Sequence, residues 1–182
     1  MLVLASRSPR RSELLSAAGF SFVVRAADID ETVRAGESPQ DYVLRVAEEK
    51  AEAVTASDHE IVLGADTIVL VDSEIMGKPK DAAEATRMLA ALAGRGHQVI
   101  TGICLRQGGR VVRDLCTTAV WFNPLKADEI AEYVASGEPM DKAGAYAIQG
   151  LASRFIERIE GSYSNVVGLP VALVYGGLRE FE

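Results

Sequence analysis

The first eleven residues, MLVLASRSPRR (residues 1–11), join a short apolar run to a polar turn. The apolar run at residues 1–5 predicts a short buried strand. Ser8-Pro9 is typical of a helix start, because serine caps helix N-termini and proline is accepted at the first helical position. We expect this helix to extend to residue 18 and to stop at Gly19. The chain therefore begins with a strand, a polar turn and a helix.

Strands and helices are predicted along the remainder of the chain without strict alternation. Strands are expected at residues 20–25, 97–106, 110–122 and 155–159, and helices at residues 38–56, 81–93, 126–135 and 171–181. Residues 60–71 are interpreted as a strand pair interrupted by a polar insertion at residues 64–67, and Gly108-Gly109 as a hairpin turn. This order predicts an α/β fold with a β-sheet of mixed direction, in a single domain that covers residues 1–182.

Composition excludes several classes of function. The net charge is −7, from 19 basic and 26 acidic residues, whereas binding of a nucleic acid polymer needs an extended basic surface. No apolar run reaches the roughly 20 residues that span a bilayer, and the N-terminus lacks the basic region of a signal peptide. We therefore expect a cytoplasmic protein with no membrane partner. Two cysteines, Cys104 and Cys116, and two histidines, His59 and His97, have no metal-ligand spacing.

Three arginines lie at the predicted start of the first helix: Arg7, Arg10 and Arg11. The positive end of the helix dipole repels cations by about 0.3–1 kcal/mol each. An anion bound there would reverse this effect, because free backbone N–H groups, arginine and the hydroxyl of Ser6 all donate hydrogen bonds to phosphate. The alternative is that the arginines are solvated or pair with Glu13. The turn at residues 6–11 thus predicts an anion site.

Asp66 interrupts an apolar stretch, where a carboxylate is costly unless it is paired, hydrogen-bonded or bound to a metal. It could cap a turn, hold Mg²⁺ or accept a proton from water. An acidic loop at residues 28–36 contains Asp28, Asp30 and Glu31. Such loops are usually solvated, but one of these carboxylates beside Asp66 would complete a magnesium site, which needs only one or two carboxylates plus phosphate oxygens.

Further candidate ligands for a nucleotide lie in the middle and in the last third of the chain. Lys50 is near the end of the second predicted helix, and Lys78 is fixed between a glycine and a proline, although single lysines are usually surface residues. The loop at residues 144–150 is rich in small residues, which allow a ligand to approach the backbone closely. In it, Gln149 offers both a donor and an acceptor, as recognition of a base edge requires.

Five segments of the chain follow the order of one known family. They are residues 4–11 (LASRSPRR), 64–67 (GADT), 77–79 (GKP), 141–150 (DKAGAYAIQG) and 161–170 (GSYSNVVGLP). Together they resemble the Maf family of nucleoside triphosphate pyrophosphatases over nearly the whole chain. The resemblance implies an α/β fold related to the inosine triphosphate pyrophosphatases, in which helices flank an extended mixed β-sheet with a nucleotide cleft. It also implies hydrolysis to the monophosphate and pyrophosphate with a divalent cation, Mg²⁺ or Mn²⁺.

The resemblance also implies roles for particular residues. Asp66 matches the family's catalytic carboxylate, the proton acceptor, and Glu31, Lys50 and Lys78 match other polar positions of the pocket. One subgroup prefers dTTP and UTP, and its specificity positions hold the residues found here. These positions are Arg10, Thr67 and Gln149.

The resulting hypothesis is a pyrophosphatase that hydrolyses dTTP, UTP or modified pyrimidine triphosphates. Asp66 and Glu31 would hold the metal. Phosphate ligands would be Ser6, Arg11, Lys50 and Lys78. Three alternatives stay open: a regulator of septum formation that binds nucleotide without hydrolysis, a pyrophosphatase that clears damaged purine triphosphates such as ITP, and a structural or protein-interaction domain. A homodimer could form on the hairpin around Gly108-Gly109.

Overall fold

The computed structural model describes residues 1–26 and 28–182. The strands are β1 (Leu2–Leu4), β2 (Phe22–Val24), β3 (Ile61–Val71), β4 (Glu74–Met76), β5 (Gly96–Gln107), β6 (Arg110–Phe122) and β7 (Ile156–Glu160). The α-helices are α1 (Pro9–Ala17), α2 (Pro39–Glu52), α3 (Ala82–Leu92), α4 (Ala127–Ala135), α5 (Tyr163–Val167) and α6 (Val171–Leu178). Short 3₁₀ turns occupy Glu138–Asp141, Ala143–Ala145, Leu151–Phe155 and Arg179–Phe181.

Within the described residues the strands form one seven-stranded sheet in the order β2-β1-β3-β5-β6-β7, with β4 paired to β3. Strand β1 is parallel to both of its neighbours, so that Leu2 lies opposite Phe22 on one side and Ile61 on the other. Strand β4 is antiparallel to β3, and β7 is antiparallel to β6. The sheet is therefore mixed, which confirms the predicted α/β fold with a mixed sheet and flanking helices.

Helix starts follow the capping signals in the sequence. The side chain of Ser38 accepts a hydrogen bond from the backbone N–H of Asp41 at 3.1 Å, and Asp81 accepts one from Glu84 at 2.8 Å. Each bond satisfies one of the backbone donors that a helix N-terminus leaves free. Helix α1 ends just before Gly19, whose φ of 80° is a left-handed conformation that suits glycine. These helices begin where the sequence predicts, and α2 ends earlier than expected, at Glu52.

The prediction for residues 60–71 is wrong in one respect. The polar segment at residues 64–67 does not interrupt a strand pair, because β3 runs without a break from Ile61 to Val71. Two features keep these residues in the strand. The carboxylate of Asp66 is paired with Lys50, and Gly64 is covered by α2: a Cβ there would lie 2.0 Å from the carbonyl oxygen of Ala47.

The contacts between Cα atoms divide the chain into two compact units. The first unit comprises Met1–Thr67, Thr101–Cys116 and Gly168–Glu182, and the second comprises Ile68–Ile100 and Thr117–Val167. Each has an apolar core of its own. In the first unit the core includes Leu4, Leu15, Leu63, Ile103 and Leu105, and in the second Met76, Leu89, Val120, Phe122 and Tyr133. The expectation of a single domain over residues 1–182 stays a prediction.

Candidate active site

Lys50 lies between two carboxylates in the first unit. Its Nζ donates a hydrogen bond of 2.7 Å to Asp66 Oδ1 and forms an ion pair of 2.9 Å with Glu31 Oε1. Asp66 is buried, with 6 % of its surface exposed, whereas the side chain of Glu31 is half-exposed. In the described part of the chain no group donates a hydrogen bond to the second oxygen of Asp66, Oδ2. The structure thus brings together the three residues that the sequence singles out as a metal and phosphate site.

Close packing of helix α2 on the sheet explains why Lys50 lies beside Asp66. A Cβ on Gly64 would lie 2.0 Å from the carbonyl oxygen of Ala47, so that glycine in β3 allows the helix to approach the strand backbone. Gly102 in β5 acts similarly, since a Cβ there would lie 2.5 Å from the carbonyl oxygen of Val43. Lys50 follows Ala47 by three residues and is on the same face of the helix. Asp66 follows Gly64 by two residues and is on the same face of the strand.

Only one carboxylate of the acidic loop, among the described residues, reaches Lys50. Asp28 pairs with Arg7 at 2.7 Å, and both side chains are largely exposed. Asp30 accepts hydrogen bonds from the backbone N–H and the hydroxyl of Thr32. The remaining acid, Glu31, contacts Lys50. The residue pattern alone leaves the three acids open, the family resemblance implies Glu31, and the structure places Glu31 on Lys50.

Two side chains of α2 hold the backbone around Glu31, and the sequence analysis missed both. The Tyr42 hydroxyl donates to the carbonyl oxygen of Glu31 at 2.8 Å, and Arg45 Nη2 donates to that of Thr32 at 3.1 Å. Burial, together with the negative charges of Asp66 and Glu31, raises the pKa of Tyr42, so the phenol keeps its proton and remains a donor. The available signal was helical spacing, since Tyr42 precedes Lys50 by about two turns on the same face.

Arg11 is the centre of a second cluster in the first unit. Its Nε donates to the carbonyl oxygen of Gly168 at 2.8 Å, Nη1 to Ser6 Oγ at 3.0 Å and Nη2 to Thr67 Oγ1 at 3.1 Å. The residue is buried, with 8 % of its surface exposed. Burial lowers the pKa of this guanidinium, and the nearby charge of Asp66 opposes that effect. Arg11 therefore connects helix α1 with β3 and with the turn before α6.

The hydroxyl of Ser6 is arranged as a donor. Its oxygen accepts hydrogen bonds from Arg11 Nη1 at 3.0 Å and from the backbone N–H of Ser8 at 3.2 Å. A serine oxygen has two acceptor positions and one hydrogen. Both acceptor positions are used, so the hydrogen is left for an acceptor such as a phosphate oxygen.

Thr67 is enclosed by polar groups of the first unit. Its hydroxyl oxygen accepts from Arg11, shares a hydrogen bond of 2.9 Å with Thr101 Oγ1 and donates to the carbonyl oxygen of Gly168 at 3.3 Å. Arg10, the neighbouring candidate for substrate preference, lies half-buried in the first turn of α1. Thr67 thus acts on its surroundings chiefly through Arg11 and the turn at Gly168.

Lys78 and Gln149 belong to the second unit, and both are exposed. The segments that contain them adjoin, because the backbone N–H of Gly144 donates to the carbonyl oxygen of Gly77 at 3.1 Å. Gly144 has a φ of 68°, and a Cβ there would lie 2.7 Å from the side chain of Val69. Glycine is therefore required for this close approach. Neither Lys78 nor Gln149 makes a hydrogen bond or ion pair within the described residues.

The donor set for a metal is small. Across residues 1–26 and 28–182, no group of three or more His, Cys, Asp or Glu side chains is placed so that it could hold a metal ion. Asp66 and Glu31 share the same ammonium contact, and Mg²⁺ usually binds one or two carboxylates together with substrate phosphates. Asp66 and Glu31 are therefore the carboxylates that could hold a divalent cation together with phosphate oxygens.

No helix within residues 1–26 and 28–182 is long and apolar enough to span a bilayer.

Comparison with known proteins identifies the family. The sequence model of the Maf-like proteins matches residues 1–181, and the chain belongs to this family. The predicted family resemblance is thereby confirmed.

Particular relatives are similar over almost their whole length. The dTTP/UTP pyrophosphatase of Geotalea uraniireducens (strain Rf4) is 52 % identical over 181 residues, which cover 98 % of this chain and 93 % of the relative. The dTTP/UTP pyrophosphatase of Anaeromyxobacter sp. (strain Fw109-5) is 56 % identical over 176 residues, with 94 % and 84 % coverage. The solved structure of the Staphylococcus aureus Ham1 protein has the same fold, with a TM-score of 0.54, 16 % identity and coverage of 100 % and 99 %.

Proposed function

We propose that the protein is a pyrophosphatase that hydrolyses dTTP and UTP to the monophosphate and pyrophosphate. The observation that supports it most is the pair of Lys50 with the buried Asp66, with Glu31 on the same ammonium group. This cluster occurs in a chain that is 52–56 % identical to relatives named dTTP/UTP pyrophosphatase. Modified pyrimidine triphosphates belong to the same substrate class. The cytoplasm, which contains these nucleotides, is the proposed location.

In the proposed reaction Asp66 accepts a proton from the water that attacks the α-phosphorus. Its Oδ1 is held by Lys50, so the carboxylate is fixed in direction, and Oδ2 faces no donor within the described residues. A positioned general base contributes a factor of about 10²–10⁴ to the rate. Lys50 also offsets the combined negative charge of Asp66 and Glu31.

Asp66 and Glu31 would hold the divalent cation, Mg²⁺ or Mn²⁺. The cation supplies positive charge to the phosphate oxygens when it is bound. The two carboxylates would orient the cation, and Lys50, which contacts both of them, would donate to the phosphates.

Pyrophosphate leaves with additional negative charge, which fixed donors must stabilise. Ser6 supplies its free hydroxyl hydrogen, and the N-terminus of α1 supplies backbone N–H groups. Arg11 has N–H groups beyond the three that bind protein acceptors, since a guanidinium has five. Lys50 and Lys78 complete the set of proposed phosphate ligands.

Base recognition is assigned to Arg10, Thr67 and Gln149. The amide of Gln149 can donate to O4 and accept from N3–H of uracil or thymine, whereas cytosine inverts this pattern. Because the Thr67 hydroxyl already bonds three protein partners, Thr67 would influence preference by shaping the pocket rather than by donating to the base. Arg10 would alter preference among nucleotides, and Arg11 would affect all triphosphates alike.

The test is release of pyrophosphate from UTP, dTTP, CTP and ITP with Mg²⁺ or Mn²⁺. UTP and dTTP are expected to be the preferred substrates, and Asp66→Asn is expected to lower kcat about 100-fold or more. Asp58→Asn, an exposed position in the loop before β3, is the matched control. Saturable binding of UTP without hydrolysis would indicate a regulator, and faster hydrolysis of ITP would indicate clearance of purine nucleotides. Retention of most turnover in Asp66→Asn would refute the role of Asp66.

A further inference from the structure

Two side chains of the second unit hold the loop that contains Gln149. The hydroxyl of Tyr133, in α4, accepts a hydrogen bond from the backbone N–H of Ala147 at 3.3 Å and donates one of 2.8 Å to Glu138 Oε1. The other carboxylate oxygen, Glu138 Oε2, accepts from the backbone N–H of Leu151 at 3.1 Å. The phenol and carboxylate thus connect two backbone amides that lie two residues before and two residues after Gln149.

Gly150 allows the carboxylate to lie against the loop. A Cβ at this position would be 2.2 Å from Glu138 Oε2, well inside van der Waals contact. Glu138 itself is fixed at its backbone, where its N–H donates to Ser136 Oγ at 3.2 Å and its carbonyl accepts from Lys142 Nζ at 2.7 Å. The backbone of Glu138 is therefore anchored beside the loop.

Tyr133 is fully buried, and burial is the main cause that raises the pKa of its phenol. The hydroxyl accordingly keeps its proton and donates to Glu138. No basic side chain of the described residues forms an ion pair with the carboxylate of Glu138. The carboxylate accepts hydrogen bonds from the hydroxyl of Tyr133 and from the backbone N–H of Leu151. Both groups of the pair are thus directed at the loop.

We propose that Tyr133 and Glu138 are positioning residues for base recognition, which act by holding the backbone on both sides of Gln149. The exposed side chain of Gln149 has no hydrogen-bond partner in the described part of the chain, so its direction depends on the loop backbone. This inference rests on the proposed function, in which the amide of Gln149 binds the pyrimidine edge. It adds two residues that do not touch the substrate.

The experiment compares kcat/KM for UTP with kcat/KM for CTP in Tyr133→Phe, Glu138→Gln and Gly150→Ala. Each substitution removes or displaces about one hydrogen bond of the loop, a factor of about fivefold, so the preference for UTP is expected to fall about threefold to tenfold. Gly150→Ala disturbs the same contact from the loop, because the new methyl group would displace the carboxylate of Glu138, which is the end of a flexible side chain. A merely structural role would lower both values together and leave their ratio unchanged.

Two controls isolate the effect. Glu132→Gln removes a carboxylate next to Tyr133 that pairs with Arg154 at the surface, and Tyr175→Phe removes an exposed phenol. Both variants are expected to keep the wild-type ratio. In a Gln149→Ala background, Tyr133→Phe should change the ratio less than twofold, because the residue through which it acts is gone.

The outcomes separate this inference from the proposed function. If Gln149→Ala lowers the preference but Tyr133→Phe, Glu138→Gln and Gly150→Ala all retain it, the positioning role is wrong and the proposed function stands. If the wild type does not prefer UTP to CTP, or Gln149→Ala leaves the ratio unchanged, the proposed base contact fails and the positioning role fails with it. Thermal unfolding of each variant shows whether a lower activity on both nucleotides comes from misfolding. A smaller folded fraction lowers both values of kcat/KM equally, so their ratio remains the deciding measurement.

Discussion

Substitution of Arg11 by methionine tests the second cluster of the candidate site. Methionine retains an unbranched side chain but has no donor for Ser6 Oγ, Thr67 Oγ1 or the carbonyl oxygen of Gly168. Arg11 donates one hydrogen bond to each of these acceptors, at 2.8–3.1 Å. The substitution therefore removes the hydrogen bonds that connect α1 with β3 and with the turn before α6, and it retains a long apolar side chain.

The magnitude follows from these three hydrogen bonds. Each is worth about 1 kcal/mol net, so their loss is expected to cost about 3 kcal/mol. Removing a buried guanidinium also relieves its desolvation, which is the main cause of the lowered pKa of Arg11. We therefore expect the free energy of unfolding to fall by about 2–3 kcal/mol. For a protein of this length the corresponding decrease in Tm is about 4–12 °C.

Thermal unfolding followed by circular dichroism measures this change. Arg7→Met is the matched control, because Arg7 precedes the same helix and pairs with Asp28 at the surface. An exposed ion pair of this kind contributes about 0–1 kcal/mol. A decrease in Tm for Arg11→Met no larger than that for Arg7→Met would refute the reasoning.

Three further predictions concern packing, pH and metal. Gly64→Ala is expected to destabilise the protein by about 1–3 kcal/mol or more and to lower activity, because the new methyl group would lie 2.0 Å from the backbone oxygen of Ala47 and would push α2 away from β3. Hydrogen bonding to Arg45 lowers the pKa of Glu37 from 4.5 to about 2 in the folded protein. The pair should therefore stabilise the protein above pH 4.5, and this contribution should be lost as the pH falls towards 2. Chelation with EDTA should abolish pyrophosphate release, and Mg²⁺ or Mn²⁺ should restore it.

Each of these predictions has a control. Gly109→Ala adds a methyl group in open space and is expected to change Tm little. A change in Tm for Gly64→Ala as small as that for Gly109→Ala would contradict the packing argument. Denaturant unfolding between pH 5 and pH 2 should show a shallower loss of stability for Glu37→Gln than for the wild type. Identical pH profiles would disprove the role of the pair with Arg45. Turnover that persists at full rate in EDTA would exclude the proposed metal dependence.

Local signals in the sequence determined most element positions. The predicted helices at residues 38–56 and 81–93 begin where α2 and α3 begin, and Gly108-Gly109 placed the turn between β5 and β6, because caps and turns depend on a few neighbouring residues. Strand β4 was missed for a similar reason. Its turn uses Asp72 and Ser73, both with positive φ, rather than the asparagine or aspartate followed by glycine that usually marks such a turn. Helix α5 has five residues, too few for helical periodicity.

The family resemblance and the candidate residues were also present in the sequence. Asp66 stood out because a charge in an apolar run needs compensation. The sequence could not show that Lys50 compensates the charge of Asp66. Nor could it show that the strand therefore continues through residues 64–67. Without the family resemblance, the residue pattern could not select Glu31 from the three acids of its loop. These outcomes depend on the approach of α2 to the backbone at Gly64.

The tertiary structure alone decided how the remaining polar groups are connected. Arg11 binds Gly168, 157 residues away along the chain, and Glu138 binds the amide of Leu151 across a loop. Hydrogen bonds of this kind require two distant segments to be packed within about 3 Å of each other. A sequence pattern predicts which side chains are buried on one helix or strand, because periodicity is local. It does not predict which partner they find, because that depends on how separate elements pack together.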